Sequence, residues 1–405
     1  MTFQGSEFRT NNSRMEPIKL LFLFDNMELS GTHRVALNLM DAASDAGLSC
    51  KALICMNDQT GLADQDSRIL WPNRCFGRSA SLLTKMLKAL AALRQAIRLA
   101  READIVIGVC PPSTMVAWWV GLATGTPVIG WVHYDLAGRR REPIGATCSR
   151  LRDWLQNRLY FDFMPRLRYL AFVSKATATG MARSRHLETL PEGWRSLPNI
   201  FKPAVFVSDS IALTQLLEIK QTTGEPVILF LGRIAHQKRW KDTIQAALEL
   251  DALGVRAQWV FLGDGPERTE FQDALAASSV RERLHWLGSD PDSQPVLAQV
   301  DALVLTSLYE AWPTVLLEAF DLGVPVVAYD CPSGPAEILG QQERGWLTQE
   351  NPRALAMALA ERLSPSGANE AKRRCQRGYH FLENHRPQYA ISMWLDYFRF
   401  VISSR

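Results

Sequence analysis

The sequence predicts an α/β protein made of two doubly wound domains that face a central cleft. Three observations predict it. The chain has 405 residues, long for one ordinary core. Short unbroken apolar runs alternate with helical patterns, the rhythm of buried parallel strands joined by crossover helices. That rhythm occurs in two series, separated at 198–226 by Pro198, Pro203, Gly224 and Pro226, the expected linker region.

In the first series, IKLLFLF (18–24) reads as a buried strand. The polar loop DNMELSGTH follows, then a helix from about Arg34 to Ala46, stopped by Gly47. CKALICM (50–56) is the second strand, and LRYLAFVS (167–174) is a late one. The second series runs through PVILFLG (226–232), AQWVFLG (257–263), RLHWLG (283–288), DALVLTS (301–307) and PVVAYD (325–330). The expected division is 15–203 as a first domain, 204–384 as a second, and 385–405 as a C-terminal helix crossing back to the first. Residues 1–14 are polar and patternless, and FQGSEF resembles a protease-site and cloning remnant, so they are set outside the fold with Met15 as the natural start.

Composition excludes several classes. Nearly half the residues are apolar and the net charge is +3, so no basic field calls for nucleic acid. Cationic excess is local: Arg139 to Lys202 holds thirteen Arg and Lys against five Asp and Glu. The seven cysteines are scattered without a C-x-x-C pair, which argues against a disulfide framework or zinc motif and for a reducing, cytoplasmic setting. No signal peptide is apparent. The 28 uncharged residues from Ile105 to Val132 are long enough to span a bilayer. Pro111, Pro112, Gly121, Gly125 and Pro127 instead divide them into strand, helix and strand, and buried core is the reading.

Candidate chemistry concentrates in the second half. The first strand there ends in GRIAHQKRW, which presents Arg233 and Lys238 at the carboxyl end of a parallel strand, where α/β sheets bind ligands. Two cations there suit a diphosphate; the alternative is a pair of solvated surface charges. DALVLTS leads to LYEAWPT and the helix VLLEAFDLG. Pro313 suits its first turn, where Thr314 and Val315 would present backbone N–H groups to an anion. Glu310 and Glu318 stand before and inside this helix, suited to bonding sugar and ribose hydroxyls; helix capping and solvation is the structural alternative. Glu318 lies among VLLEAF, where an unpaired acid is costly.

GR-x4-K, LGDGPE (262–267), E-x7-E within YEAWPTVLLEA, and GVPVVAYDCPSGPAEIL resemble glycosyltransferase family 4, the group 1 glycosyltransferases, in order and spacing across roughly 226–347. The resemblance implies a GT-B fold and a retaining, metal-independent transferase that uses a nucleotide-sugar and no cofactor. It assigns Arg233 and Lys238 to the donor diphosphate, Glu318 to the ribose and Glu310 to the transferred sugar. Backbone N–H groups around Trp312, Pro313, Thr314 and Val315 would hold the distal phosphate. The loop Gly334–Glu337 resembles one found with UDP-sugars, which are favoured over GDP-sugars. Before residue 200 the likeness is thinner. Gly31, in LSGTHRVALNLM, matches the glycine-containing loop that enters a helix near the phosphates, and His133, in GWVHYD, matches a histidine facing the donor sugar. Asp290-Pro291-Asp292 reads as a turn, and no metal is expected.

The function expected is transfer of a sugar to a glycan or lipid-linked saccharide in bacterial surface polysaccharide or glycolipid synthesis. Sugar-nucleotide epimerisation and a non-catalytic nucleotide-sugar-binding scaffold are the alternatives. Residues 79–101 are a candidate for peripheral membrane contact. Leu82, Leu83, Met86, Leu90, Leu93 and Ile97 form one apolar stripe there, flanked by Lys85, Lys88, Arg94, Arg98 and Arg101. An ordinary helix packed on its sheet produces the same stripe.

Overall fold

The computed structural model describes residues 17–27, 31–58, 66–71, 82–135, 162–203 and 210–404. The expectations for 1–14 and for the part of the basic stretch between 139 and 161 lie outside them. The first sheet contains β1 (Lys19–Met27), β2 (Ser49–Asp58), β3 (Ile69–Leu70), β4 (Ile105–Gly108), β5 (Val128–Val132), β6 (Tyr169–Phe172) and β7 (Trp194–Ser196). Their order is β3-β2-β1-β4-β5-β6-β7, with every pairing parallel. The second sheet contains β8 (Val227–Leu231), β9 (Gln258–Leu262), β10 (Leu284–Trp286), β11 (Ala302–Leu305), β12 (Val326–Tyr329) and β13 (Trp346–Thr348). It is also parallel, in the order β10-β9-β8-β11-β12-β13. Both are doubly wound, and each reverses strand order once, between β1 and β4 and between β8 and β11. Those switch points are where such sheets open a crevice beyond their carboxyl edge.

The helices described between strands of the first sheet are α1 (Gly31–Asp45), α2 (Leu82–Ala100), α3 (Pro111–Thr124) and α4 (Lys175–Ser184). The second domain adds α5 (Ile211–Thr223), α6 (Trp240–Ala252), α7 (Arg268–Ala277), α8 (Gln294–Leu297), α9 (Thr314–Asp321), α10 (Pro335–Leu339), α11 (Pro352–Leu363) and α12 (Pro365–Leu382), and α13 (Pro387–Ser403) follows. Strand burial explains the unbroken apolar runs. Leu20 to Phe24 are each at most 1% exposed, because helices cover both faces of the sheet.

The linker expectation covered too much chain. Ile211–Thr223 is helical, started by Ser210, whose Oγ accepts from the Leu213 N–H at 3.0 Å, and ended by Gly224 in the left-handed region. Ser210 and Gly224 were the visible signals of a cap and a stop. Residues 79–81 of the 79–101 stripe, and the side chains of Leu82, Leu83 and Met86, lie outside the described residues, and the C-terminal part of the stripe is packed. Ala92, Ala96, Leu99 and Ala100 of α2 are buried, and Leu93 and Ile97 pack on the same cluster. Leu90 is left exposed. Among the described residues no helix is long and apolar enough to cross a membrane.

Just ahead of the last helix, the Phe201 N–H donates to the His385 carbonyl at 2.8 Å, while Arg386 still pairs with Asp321 of the second domain. Helix α13 then packs on the first domain. Trp394 is fully buried edge-on against Trp131, and its indole N–H donates to the Pro198 carbonyl at 3.0 Å. The Tyr397 hydroxyl donates to the Gly193 carbonyl at 2.8 Å. Trp394→Ala removes a large core side chain and strands a carbonyl, so it should lower stability by about 3–5 kcal/mol. Chemical denaturation of the two proteins side by side measures this.

Candidate active site

The loop after β8 carries Arg233 and Lys238. Glycines hold it in place. A Cβ on Gly265 would lie 2.1 Å from the Ile234 carbonyl oxygen, and one on Gly263 would lie 2.0 Å from that of Gly232. Only bare backbone lets the GDG loop press against the Arg233 loop, where the Ile234 N–H donates to the Asp264 carbonyl at 3.0 Å. Arg233 itself is exposed and forms no ion pair among the described residues. Lys238 ends a short 3-10 turn, and its Nζ contacts Glu310 Oε1 at 2.5 Å. The same oxygen accepts from the Ser307 hydroxyl at 2.7 Å. Glu310 is thus a buried carboxylate with one oxygen doubly engaged.

The loop after β11 is tied to the Lys238 loop. Leu308 N–H donates to the Gln237 carbonyl at 2.7 Å, and the Thr306 hydroxyl donates to the Lys238 carbonyl at 2.8 Å. Pro313 stands one place earlier than expected, as the N-cap of α9, because its extended ψ ends the loop before the helix begins. Thr314 and Val315 occupy the first turn, so their N–H groups have no intrahelical acceptor. The Trp312 side chain is buried and packs edge-on against His385, with ring centroids 5.3 Å apart.

Across the cleft, α1 starts at Gly31. A Cβ there would lie 3.4 Å from Thr314 Oγ1, so the first turns of α1 and α9 meet. Arg34, one turn into α1, approaches Glu318 at 4.0 Å. Glu318 is 9% exposed, and burial holds its carboxyl above the usual range, against the pull of Arg34 and with the Asp292 charge adding to the rise. Glu337 also bridges the domains, accepting from the Lys175 and Ala176 N–H groups at the start of α4, each at 3.3 Å. The Asp290 carboxylate accepts from Ser210 and from the Asp292 N–H, serving a turn.

His133 follows β5. Its Nε2 is buried without a hydrogen-bond partner among the described residues, and its ring lies 4.4 Å from that of Trp131. Burial first, and the neighbouring His33 second, push its pKa down to about 3, so the ring is neutral at physiological pH. The fold places Gly31, His133, Lys238, Glu310, Thr314, Val315 and Glu318 around the facing carboxyl edges. Two residues beside them carry no spacing signal in the sequence: Arg34 bridges the domains and Cys110 caps α3. Glu337, the end of the Gly334–Glu337 loop marked in the sequence, reaches across to the first domain. Burial, then the Asp25 charge, raise the Cys110 thiol well above the usual range, while a hydrogen bond from Tyr134 opposes this.

A profile described as glycosyl transferases group 1 matches residues 216–380, and one described as a glycosyl transferase 4-like domain matches 30–185. The chain belongs to the group 1 glycosyltransferases, in the family 4-like branch. It is 36% identical over 108 residues to a 2-deoxystreptamine glucosyltransferase of Streptomyces kanamyceticus, 26% of this chain and 28% of that protein. It is 32% identical over 129 residues to a lipopolysaccharide 1,6-galactosyltransferase of Escherichia coli, 30% of this chain and 34% of that one. These matches span about a third of the relatives' length. The fold is the GT-B fold, seen in Anabaena HepE crystallised with UDP and glucose, at a TM-score of 0.73 and 16% identity over 94% of this chain and 98% of that one.

Protonation should tune stability in two opposed ways. The unfolded chain protonates histidine near 6.5, while folded His133 and His385 refuse the proton until about 3 and about 4, so stability falls as pH drops below 6.5. Glu318, raised by burial, destabilises the fold when ionised, and that loss is recovered as pH falls through its folded value towards 4.5. Glu318→Gln should therefore raise the melting temperature at pH 7, and His385→Phe should flatten the acid limb. Thermal melts from pH 4 to 8 check both signs.

Proposed function

We propose that the chain transfers a sugar from a nucleotide-sugar, a UDP-sugar foremost, to a hydroxyl of a saccharide acceptor, with retention and without a metal ion in the transfer step. The observation that carries this reading is the meeting of two helix N-termini, at Gly31 and Thr314, beside Lys238. Two helix starts and a lysine converge where a diphosphate would leave, and Arg233 adds an exposed cation at the rim. Preorganised positive groups stabilise the charge that develops on the leaving phosphate. The acceptor hydroxyl then attacks from the same face and gives its proton to a leaving-phosphate oxygen, without a covalent glycosyl-enzyme.

Glu310 keeps lone pairs for the hydroxyls of the transferred sugar, because Lys238 and Ser307 engage only Oε1. Glu318 is suited to the ribose hydroxyls, and neutral His133 to the sugar on the first-domain side. The names of the two relatives point to polyhydroxylated acceptors, an aminocyclitol and a lipopolysaccharide. They support a saccharide-like acceptor, free or lipid-linked, in surface polysaccharide or glycolipid synthesis. A peripheral membrane approach is supported by Leu90 on α2 and by Trp119 and Leu122 on α3, which are 49%, 57% and 61% exposed on packed helices next to exposed Arg94 and Arg98.

UDP-sugars should raise the melting temperature more than GDP-sugars. Lys238→Ala and Arg233→Ala should each cut turnover by about 100-fold or more while keeping the circular dichroism of the parent. Near-normal turnover in both variants would sink the donor assignment. In a flotation assay with anionic vesicles at low salt, the parent should bind and Trp119→Ser with Leu122→Ser should not; equal flotation would remove the membrane contact.

A further inference from the structure

The first sheet has its own switch point between β1 and β4, and the polar groups gathered there are not used by the donor site. Asp25 comes from the carboxyl-terminal part of β1, Cys110 from the turn after β4, and His33 from the first turn of α1. One ligating atom from each lies within 4.8 Å of the other two. Cys110 and His33 are 5% and 7% exposed, and Asp25 Oδ1 is buried without a hydrogen-bond partner among the described residues. Cys55, which follows the buried core of β2, is near enough for the Asp25 charge to act on its thiol.

We propose that Asp25, His33 and Cys110 bind a divalent transition-metal ion of the zinc class, in the crevice beneath the start of α1. The donor set of one thiolate, one imidazole and one carboxylate is that of a borderline-soft cation and not of magnesium or calcium. Tetrahedral ligation at about 2.0–2.3 Å places donor atoms about 3.3–3.8 Å apart, so side-chain rotations of roughly an ångström close the site. Three protein ligands leave one coordination position for water. Cys110 is also the N-cap of α3, where a thiolate meets the positive end of a helix, and a bound cation deprotonates a ligating thiol outright. Position gives the site a consequence. His33 lies two residues after Gly31, so the ion would fasten the first turn of α1, the same turn that meets Thr314 across the cleft.

The sequence alone led to the opposite expectation, because no two of these residues form a spacing motif. Cobalt(II) tests the proposal without reference to sugar transfer. Chelator-stripped full-length protein titrated with Co2+ should develop a near-ultraviolet thiolate-to-cobalt band and tetrahedral visible bands, saturating at one ion per chain. Zn2+ should bleach them and Mg2+ should not. Cys110→Ser should abolish the thiolate band, and His33→Asn should weaken binding by more than about 100-fold, beyond what loss of an outer-shell partner costs. Cys375→Ser, in the other domain, should change nothing. Absence of the band at saturating Co2+ in the parent overturns the proposal, as does a band that survives in Cys110→Ser. If Cys110→Ser does not fold, judged by circular dichroism without metal, an unchanged affinity in His33→Asn overturns it equally.

Discussion

Two helix starts that nearly touch, at Gly31 and Thr314, set the terms for the rest of the cleft. In a parallel sheet every crossover helix begins at the carboxyl edge, so each domain aims orphan N–H groups the same way. Turning two such edges towards each other concentrates those partial positive charges in one volume. A Cβ at Gly31 would lie 3.4 Å from the Thr314 hydroxyl, so the two helix starts are within van der Waals reach of each other. The approach also needs the domains to be held together, and α13 contributes to that by leaving the second domain and burying Trp394 beneath the first.

Charge is distributed so that the cleft is not left with one sign. Lys238 is neutralised in place by Glu310, and the buried Glu318 is only loosely met by Arg34 at 4.0 Å. These two carboxylates face different environments, one paired and the other pushed upward by burial. Glu337 reaches the N-terminus of α4 in the opposite domain, a third contact between a helix start and the other half of the molecule. Two separate polar links, Arg34 with Glu318 and Glu337 with the start of α4, therefore run from one domain to the other.

The sequence by itself determined the two parallel domains, because burial on both faces of a sheet requires continuous apolar runs, and those are visible as IKLLFLF and PVILFLG. It also marked Arg233, Lys238, Glu310 and Glu318, since each lies next to a strand end in a motif of fixed spacing. Short edge strands such as Ile69–Leu70 and Trp194–Ser196 carried too little pattern to be seen, and α5 was hidden among the prolines and glycine that flank it. What only the tertiary structure decided are the pairings between distant segments. Arg34 with Glu318, Glu337 with α4, and Asp25 with His33 and Cys110 depend on how crossover helices bring remote strand ends together, and no local propensity encodes that distance.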